Sequence, residues 1–183
     1  DKFPRPILDD AEFMLHMMRE YDKGFRYWVD VANKNDDVTL DLLLNKHTMP
    51  GFNDSGAHIT NMAFFDANLN SLKLAQRKSL ETVSKMVKRL TSEPAAFFGL
   101  DVGTLELGDQ ADITMIDPEV LRAWDDKGGR ELIYRDLFEH PQMVSRSDGV
   151  VTHTFIRGEK VWQNGDFGEA LGKQTLGRAL RAA

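Results

Sequence analysis

Cysteine is absent from the 183-residue sequence, which excludes disulfides, cysteine-ligated zinc and a thiol nucleophile within this chain. A reducing compartment is therefore permitted. No apolar run approaches the ~20 residues that span a bilayer, and no signal-peptide pattern opens the chain. The expectation is a soluble, cytoplasmic protein with no membrane partner. Also missing is any basic run interleaved with aromatics. Twenty-nine acids stand against twenty-three Lys and Arg, a formal charge of −6, so nucleic acid is a poor partner. The basic cluster Lys85, Lys88 and Arg89 reads as a solvated helix face.

What is present is enough to build a core. The chain is 42% hydrophobic and 28% charged, in the range of a globular protein of one domain, or one domain with a small appendage. It shows no internal repeat and no low-complexity segment. It starts at Asp1, in a stretch, Lys2-Phe3-Pro4-Arg5-Pro6, that reads as a connector, so a fragment of something longer is expected.

Asp9 and Glu12 mark a helix start, with Phe13, Met14, Met17, Met18 and Tyr21 on one face and Gly24 as the stop. The methionine stripe reads as core packing, and His16 lies off it, facing solvent. Phe25 to Ala32 alternates as a strand does. Val38 to Leu44 is a short helix ending near Asn45. The run Asn61 to Arg77 is helical in composition, with Asp66, Asn68 and Asn70 expected to interrupt it. Val83, Met86, Val87 and Leu90 mark the next helix face, and Thr91-Ser92-Glu93-Pro94 opens another under a capping hydroxyl, stopped at Gly99. This order predicts a parallel α/β arrangement to about residue 100.

Beyond Gly103 the pattern turns to short strands. They are expected at Thr104 to Leu107, Ile113 to Ile116, Val150 to Ile156 and Glu159 to Gln163, the last two joined by a hairpin at Arg157-Gly158. Asp117-Pro118 opens a short helix, Glu131 to Phe138 is ambiguous between strand and helix, and Leu176 to Leu180 is a loosely docked helical tail.

The organising stretch is Met49-Pro50-Gly51-Phe52-Asn53-Asp54-Ser55-Gly56-Ala57-His58. An acid follows one apolar residue and a proline-glycine pair, and a histidine stands four positions later. Asp-Ser-Gly is an ordinary turn sequence. It also suits the carboxyl end of a buried strand, where ligands and chemistry collect in barrel and open α/β folds.

Three segments carry a family resemblance: Gly51 through His58; Leu90 through Leu100, continued by Gly103-Thr104-Leu105-Glu106-Leu107-Gly108-Asp109-Gln110-Ala111-Asp112-Ile113-Thr114-Met115-Ile116-Asp117-Pro118; and Thr154 through Gly165. In this order the chain resembles the carboxyl-terminal third of the metal-dependent amidohydrolases, in particular the N-acyl-D-amino-acid deacylase branch.

The resemblance implies an α/β fold. Residues 1–100 would be the last strands and helices of a (β/α)8 TIM-type barrel, and residues 101–183 part of a small β-sandwich with the tail. It implies that Asp54 ligates an active-site zinc and handles the proton, taking it from metal-bound water and passing it to the leaving amine. It implies a substrate contact for His58. Asn53 stands where many relatives have serine.

The resemblance implies further ligands from a His-x-His pair on the first strand, a bridging or ligating residue on a middle strand, and histidines of the fifth and sixth strands. The five histidines here, His16, His47, His58, His140 and His153, contain no such pair, and zinc wants four ligands. A complete barrel takes ~250 residues. The expectation is therefore a piece of a hydrolase of N-acyl-D-amino acids or similar small amides, inactive and poor in metal by itself, and self-associating as a homo-oligomer through its open strand edge. Two alternatives stand beside it: a non-catalytic binding or assembly module, and a hydantoinase- or dihydroorotase-like hydrolase of cyclic amides.

Overall fold

The computed structural model describes residues 9–25, 27, 32–51 and 66–182. They divide into two compact units, Asp1–Lys34 and Asn35–Ala183.

The first unit holds helix α1, Asp10–Tyr21, and a 3₁₀ turn, Asp22–Gly24. Asp9 caps α1, its carboxylate accepting from the amides of Ala11 at 2.6 Å and Glu12 at 3.4 Å. The stripe expected to be core is not: no residue of α1 is buried, and Phe13 and Met18 are exposed. His16, expected in solvent, is half-buried. A single helix cannot enclose its own apolar face, which needs a second layer to bury it. The Phe25 and Tyr27 rings stack at 5.6 Å, but most of the strand expected at Phe25 to Ala32 lies outside the described residues.

The second unit begins with α2, Asp36–Leu44, followed by α3, Ala67–Gln76, α4, Leu80–Leu90, and α5, Ser92–Phe97. Asn35 caps α2 through the amides of Asp37 and Val38, and Ser79 caps α4 through that of Thr82. Asn68 and Asn70 do not interrupt α3. Leu69, Leu72 and Ala75 are buried along it, and that packing outweighs the few tenths of a kcal/mol by which asparagine disfavours a helix. The first turn of α2 and the far end of α3 are joined by the ion pairs Arg77–Asp36 and Lys78–Asp37. The acids sit at a helix start and the cations at a helix end, where each sign is favoured.

Helix α5 closes with a Schellman arrangement. Gly99 adopts φ +64°, the Leu100 amide donates to Ala95 O at 2.8 Å and the Gly99 amide to Ala96 O at 3.2 Å. Its start differs from expectation. The Thr91 hydroxyl does not cap it but turns back to Val87 O at 2.7 Å on the preceding helix.

Strands follow. β1 is Ile113–Ile116, β2 Arg130–Arg135, β3 His140–Ser145, β4 Val151–Ile156, β5 Glu159–Gln163 and β6 Asp166–Phe167, with helix α6, Pro118–Ala123, between β1 and β2. One sheet has the order β1-β4-β5-β6, and β2 and β3 form a separate ribbon. Every pairing among the described residues is antiparallel. The strands on which the parallel expectation rested, one over Phe25 to Ala32 and one ending at Asp54, fall mostly outside the described residues. The strand partner β3 has no counterpart among the sequence expectations, and the ambiguous Glu131 to Phe138 resolves as β2 plus a 3₁₀ turn.

Two further expectations are corrected. Thr104 to Leu107 is not a strand. The Asp109 carboxylate gathers it into a turn, accepting from the Thr104 hydroxyl and, at 2.9 Å, from the Glu106 amide. These donors hold that carboxyl below its ordinary range. Leu176 to Leu180 is not helical; it is tied by Arg178 donating to Asp101 O at 3.3 Å.

The core gathers Leu40, Leu69, Leu72, Ala75 and Met86 from α2, α3 and α4 with Leu121, Trp124 and Val150 from beyond residue 100. Lys73 on α3 donates to Trp124 O and lies 5.9 Å from the centre of that indole ring. Gln76 donates to Pro118 O at 2.7 Å. The helices and the start of the β region are therefore packed as one hydrophobic body.

Candidate functional site

Asp54 and His58, with Asn53, lie outside the described residues. What the structure shows is the frame around them in sequence: the turn that enters the segment, the helix that holds the turn, and the motifs downstream.

The entering turn is fixed by a buried cation. Arg89 on α4, read from sequence as part of a solvated basic face, is only 7% exposed. Its Nε donates to Leu43 O at 3.0 Å, its Nη2 to Asn45 O at 2.9 Å and to Thr48 O, and its Nη1 to Glu93 Oε2 at 2.7 Å. Leu42 O, at the same helix end, accepts from the Thr48 hydroxyl at 2.7 Å. The His47 amide is held by Asn45 Oδ1 at 2.9 Å. A guanidinium here satisfies the carbonyls a helix leaves open at its C-terminus and favours the negative end of its dipole. Lys85 and Lys88 do face solvent. No sequence signal marked Arg89 apart from them except its place one turn after Met86, which is fully buried.

The downstream motifs prove to be joined. Gly103, at φ +91°, lies so close to the start of α5 that a Cβ would sit 2.9 Å from Thr91 O. Asp112 Oδ1 accepts from the Arg157 amide at 2.8 Å, and Ala111 O accepts from the Gly158 amide at 2.9 Å. The Ala-Asp pair thereby grips the β4–β5 hairpin.

The described histidines are scattered. His47 is exposed in its turn. His140 Nδ1 lies 2.6 Å from Pro141 O in β3, and the His153 ring stacks on Phe155 in β4. No group of three or more His, Asp or Glu able to hold a metal occurs among the described residues. These residues do not fit a metal centre by themselves. One carboxyl stands out for its surroundings. Burial at the start of α3 raises Asp66 above its ordinary range, an effect tempered by the Ser147 hydroxyl and the Leu69 backbone. From its residue type Asp66 is expected to interrupt a helix, and it stands at the N-terminal boundary of α3.

A family model described as "Amidohydrolase family" matches residues 53–161. The chain belongs to the amidohydrolase family. Members of that family are generally metal-dependent. The match begins at Asn53, takes in Asp54 and His58, and runs through the Asp112–Arg157 junction into β5.

Among curated relatives, an uncharacterized protein of Mycobacterium tuberculosis is 34% identical over 173 residues, covering 88% of this chain and 28% of its own length. A dihydroorotase of Geobacillus thermodenitrificans is 36% identical over 89 residues, 49% of this chain and 20% of its own. A dihydroorotase of Syntrophotalea carbinolica is 42% identical over 88 residues, 45% of this chain and 20% of its own. The chain thus spans little more than a quarter of the curated relatives it matches over most of its length. No solved structure matches. No helix among the described residues is long and apolar enough to cross a membrane.

Proposed function

We propose that this chain supplies the acid-bearing part of a hydrolase that cleaves the amide C–N bond of N-acyl-D-amino acids or similar small amides. The observation that carries the reading is the Gly51–His58 segment, whose acid and histidine fall inside the amidohydrolase match over residues 53–161. Asp54 is the proton-handling group: its carboxylate accepts a proton from the attacking water and returns it to the departing amine. His58 contacts the substrate. Residues 1–100 would be barrel elements and residues 101–183 a sandwich portion with its tail. The metal of the complete enzyme would be zinc, with the chain by itself inactive. The chain would form homo-oligomers, and a single monomeric species in sedimentation at micromolar concentration would remove that part of the proposal.

A second reading, hydrolysis of a cyclic amide, is favoured by the similarity to proteins named dihydroorotase. The test is to assay the complete protein that carries this chain on N-acetyl-D-amino acids, their L isomers and dihydroorotate. Turnover of the D substrates, reduced by on the order of 10²–10⁴-fold in Asp54→Asn, supports the first reading. Turnover of dihydroorotate alone supports the second. Full activity in Asp54→Asn removes the assigned mechanism in both.

A further inference from the structure

We propose that Arg89 is a positioning residue of the hydrolase, fixing the turn from which the chain enters the segment that bears Asp54. The inference rests on the role given to Asp54 above.

The observations are its burial and the identity of its partners. Arg89 is only 7% exposed, and all three guanidinium nitrogens are engaged. Three of its acceptors are backbone carbonyls, of Leu43, Asn45 and Thr48, gathered from the end of α2 and the turn beyond it. A surface ion pair alone would leave the side chain in solvent, as Lys85 is with Glu81, at 62% and 78% exposure. Here the carboxylate partner Glu93 is the more exposed member, at 47% against 8% for Arg89. The three carbonyls belong to the end of α2 and the turn after it, so these contacts tie Arg89 to the backbone and not only to a side chain.

The planar fork addresses several acceptors at fixed angles, whereas a lysine ammonium is a single point of charge. The same turn is held from its own side by the Thr48 hydroxyl on Leu42 O and by Asn45 Oδ1 on the His47 amide. Arg89 therefore holds the backbone at Thr48, after which only Met49, Pro50, Gly51 and Phe52 precede the matched segment. Proline restricts the residue before it, which narrows the conformations open to Met49 as the chain leaves the held turn. Misplacing a reacting group by about 1 Å can cost 10²-fold in rate.

The experiment uses the complete protein, with kcat and KM expressed per folded enzyme from near-ultraviolet circular dichroism, for Arg89→Lys, Arg89→Ala, Glu93→Gln and Asp54→Asn. Arg89→Lys is expected to lose tenfold or more in kcat with KM within about threefold of the wild type, Arg89→Ala to lose more, and Glu93→Gln to keep kcat. A wild-type kcat per folded molecule in Arg89→Lys, with Asp54→Asn inactive, overturns the proposal and leaves the role of Asp54 standing. A fully active Asp54→Asn removes that role and the proposal with it. If neither Arg89 variant yields folded protein, Arg89 is a structural residue and the positioning role is rejected.

Discussion

The carboxylate of Asp112 accepts the amide of Arg157 at 2.8 Å across forty-five positions of sequence. That amide belongs to a left-handed turn, in which Arg157 adopts φ +52° and Gly158 φ +83°; glycine takes such angles freely, a residue with a Cβ does not. Both central residues of the β4–β5 hairpin are left-handed, as a two-residue turn matching strand twist requires. Asp112 therefore secures the one non-glycine residue in it that pays a conformational cost.

Asp112→Ala should lower unfolding stability by about 1 kcal/mol, the usual worth of such a bond when the freed amide can reach water. Arg157→Asn should act in the opposite direction, by about 0.5 kcal/mol, since asparagine tolerates the left-handed region and the amide donor is kept. Urea unfolding of the two single variants and the double variant checks both signs. Stabilisation by Asp112→Ala would remove the inferred role of the contact.

Gly103 and Gly108 form a natural control pair. Both have positive φ, +91° and +102°, but a Cβ at Gly103 would stand 2.9 Å from Thr91 O, whereas at Gly108 nothing lies within 4 Å. Gly108→Ala should cost about 1 kcal/mol from backbone strain alone, and Gly103→Ala about 2 kcal/mol or more because the start of α5 must also shift. Equal losses in thermal or urea unfolding would show that the close approach to Thr91 is not energetically felt.

Much of the helical framework was legible because local chemistry decides it. Asp9, Asn35, Ser79 and Asp117 each precede a helix and each caps it through its own side chain. The hairpin at Arg157-Gly158 was equally plain. The expectations that failed depend on partners distant in sequence. Thr104 to Leu107 has strand composition, yet Leu105 and Leu107 are 79% and 107% exposed; alternation makes a strand only where another strand can pair with it. Arg89 looked like its neighbours Lys85 and Lys88 because burial of a cation depends on which carbonyls the fold brings to it. The three motif segments were recognisable, and the structure supplies a physical reason for two of their residues, Gly103 and Asp112, both of which hold the fold together. The assigned chemistry at Asp54 and His58 rests on sequence.

Asp66 gives the pH-dependent prediction. Burial raises its carboxyl above the ordinary value of 3.8, with the Ser147 hydroxyl and the Leu69 backbone opposing. The folded state thus holds this proton more tightly than the unfolded chain does. Between 3.8 and the raised value, stability from this group falls as pH rises, and above that window the buried charge is a standing cost. Asp66→Asn removes the charge while keeping a side chain that can meet Ser147. It should be more stable than the wild type at pH 7, with the advantage shrinking as the pH falls through the window and vanishing below about pH 3.8. Comparing variant with wild type at each pH cancels the opposite contributions of Asp109 and Glu81, whose carboxyls are held low by their partners. Urea midpoints from pH 3.5 to 7 read the difference directly. An Asp66→Asn protein less stable at pH 7 than at pH 3.5, relative to wild type, would mean that the ionised carboxylate is a favourable partner of Ser147 and that burial is not the dominant influence on it.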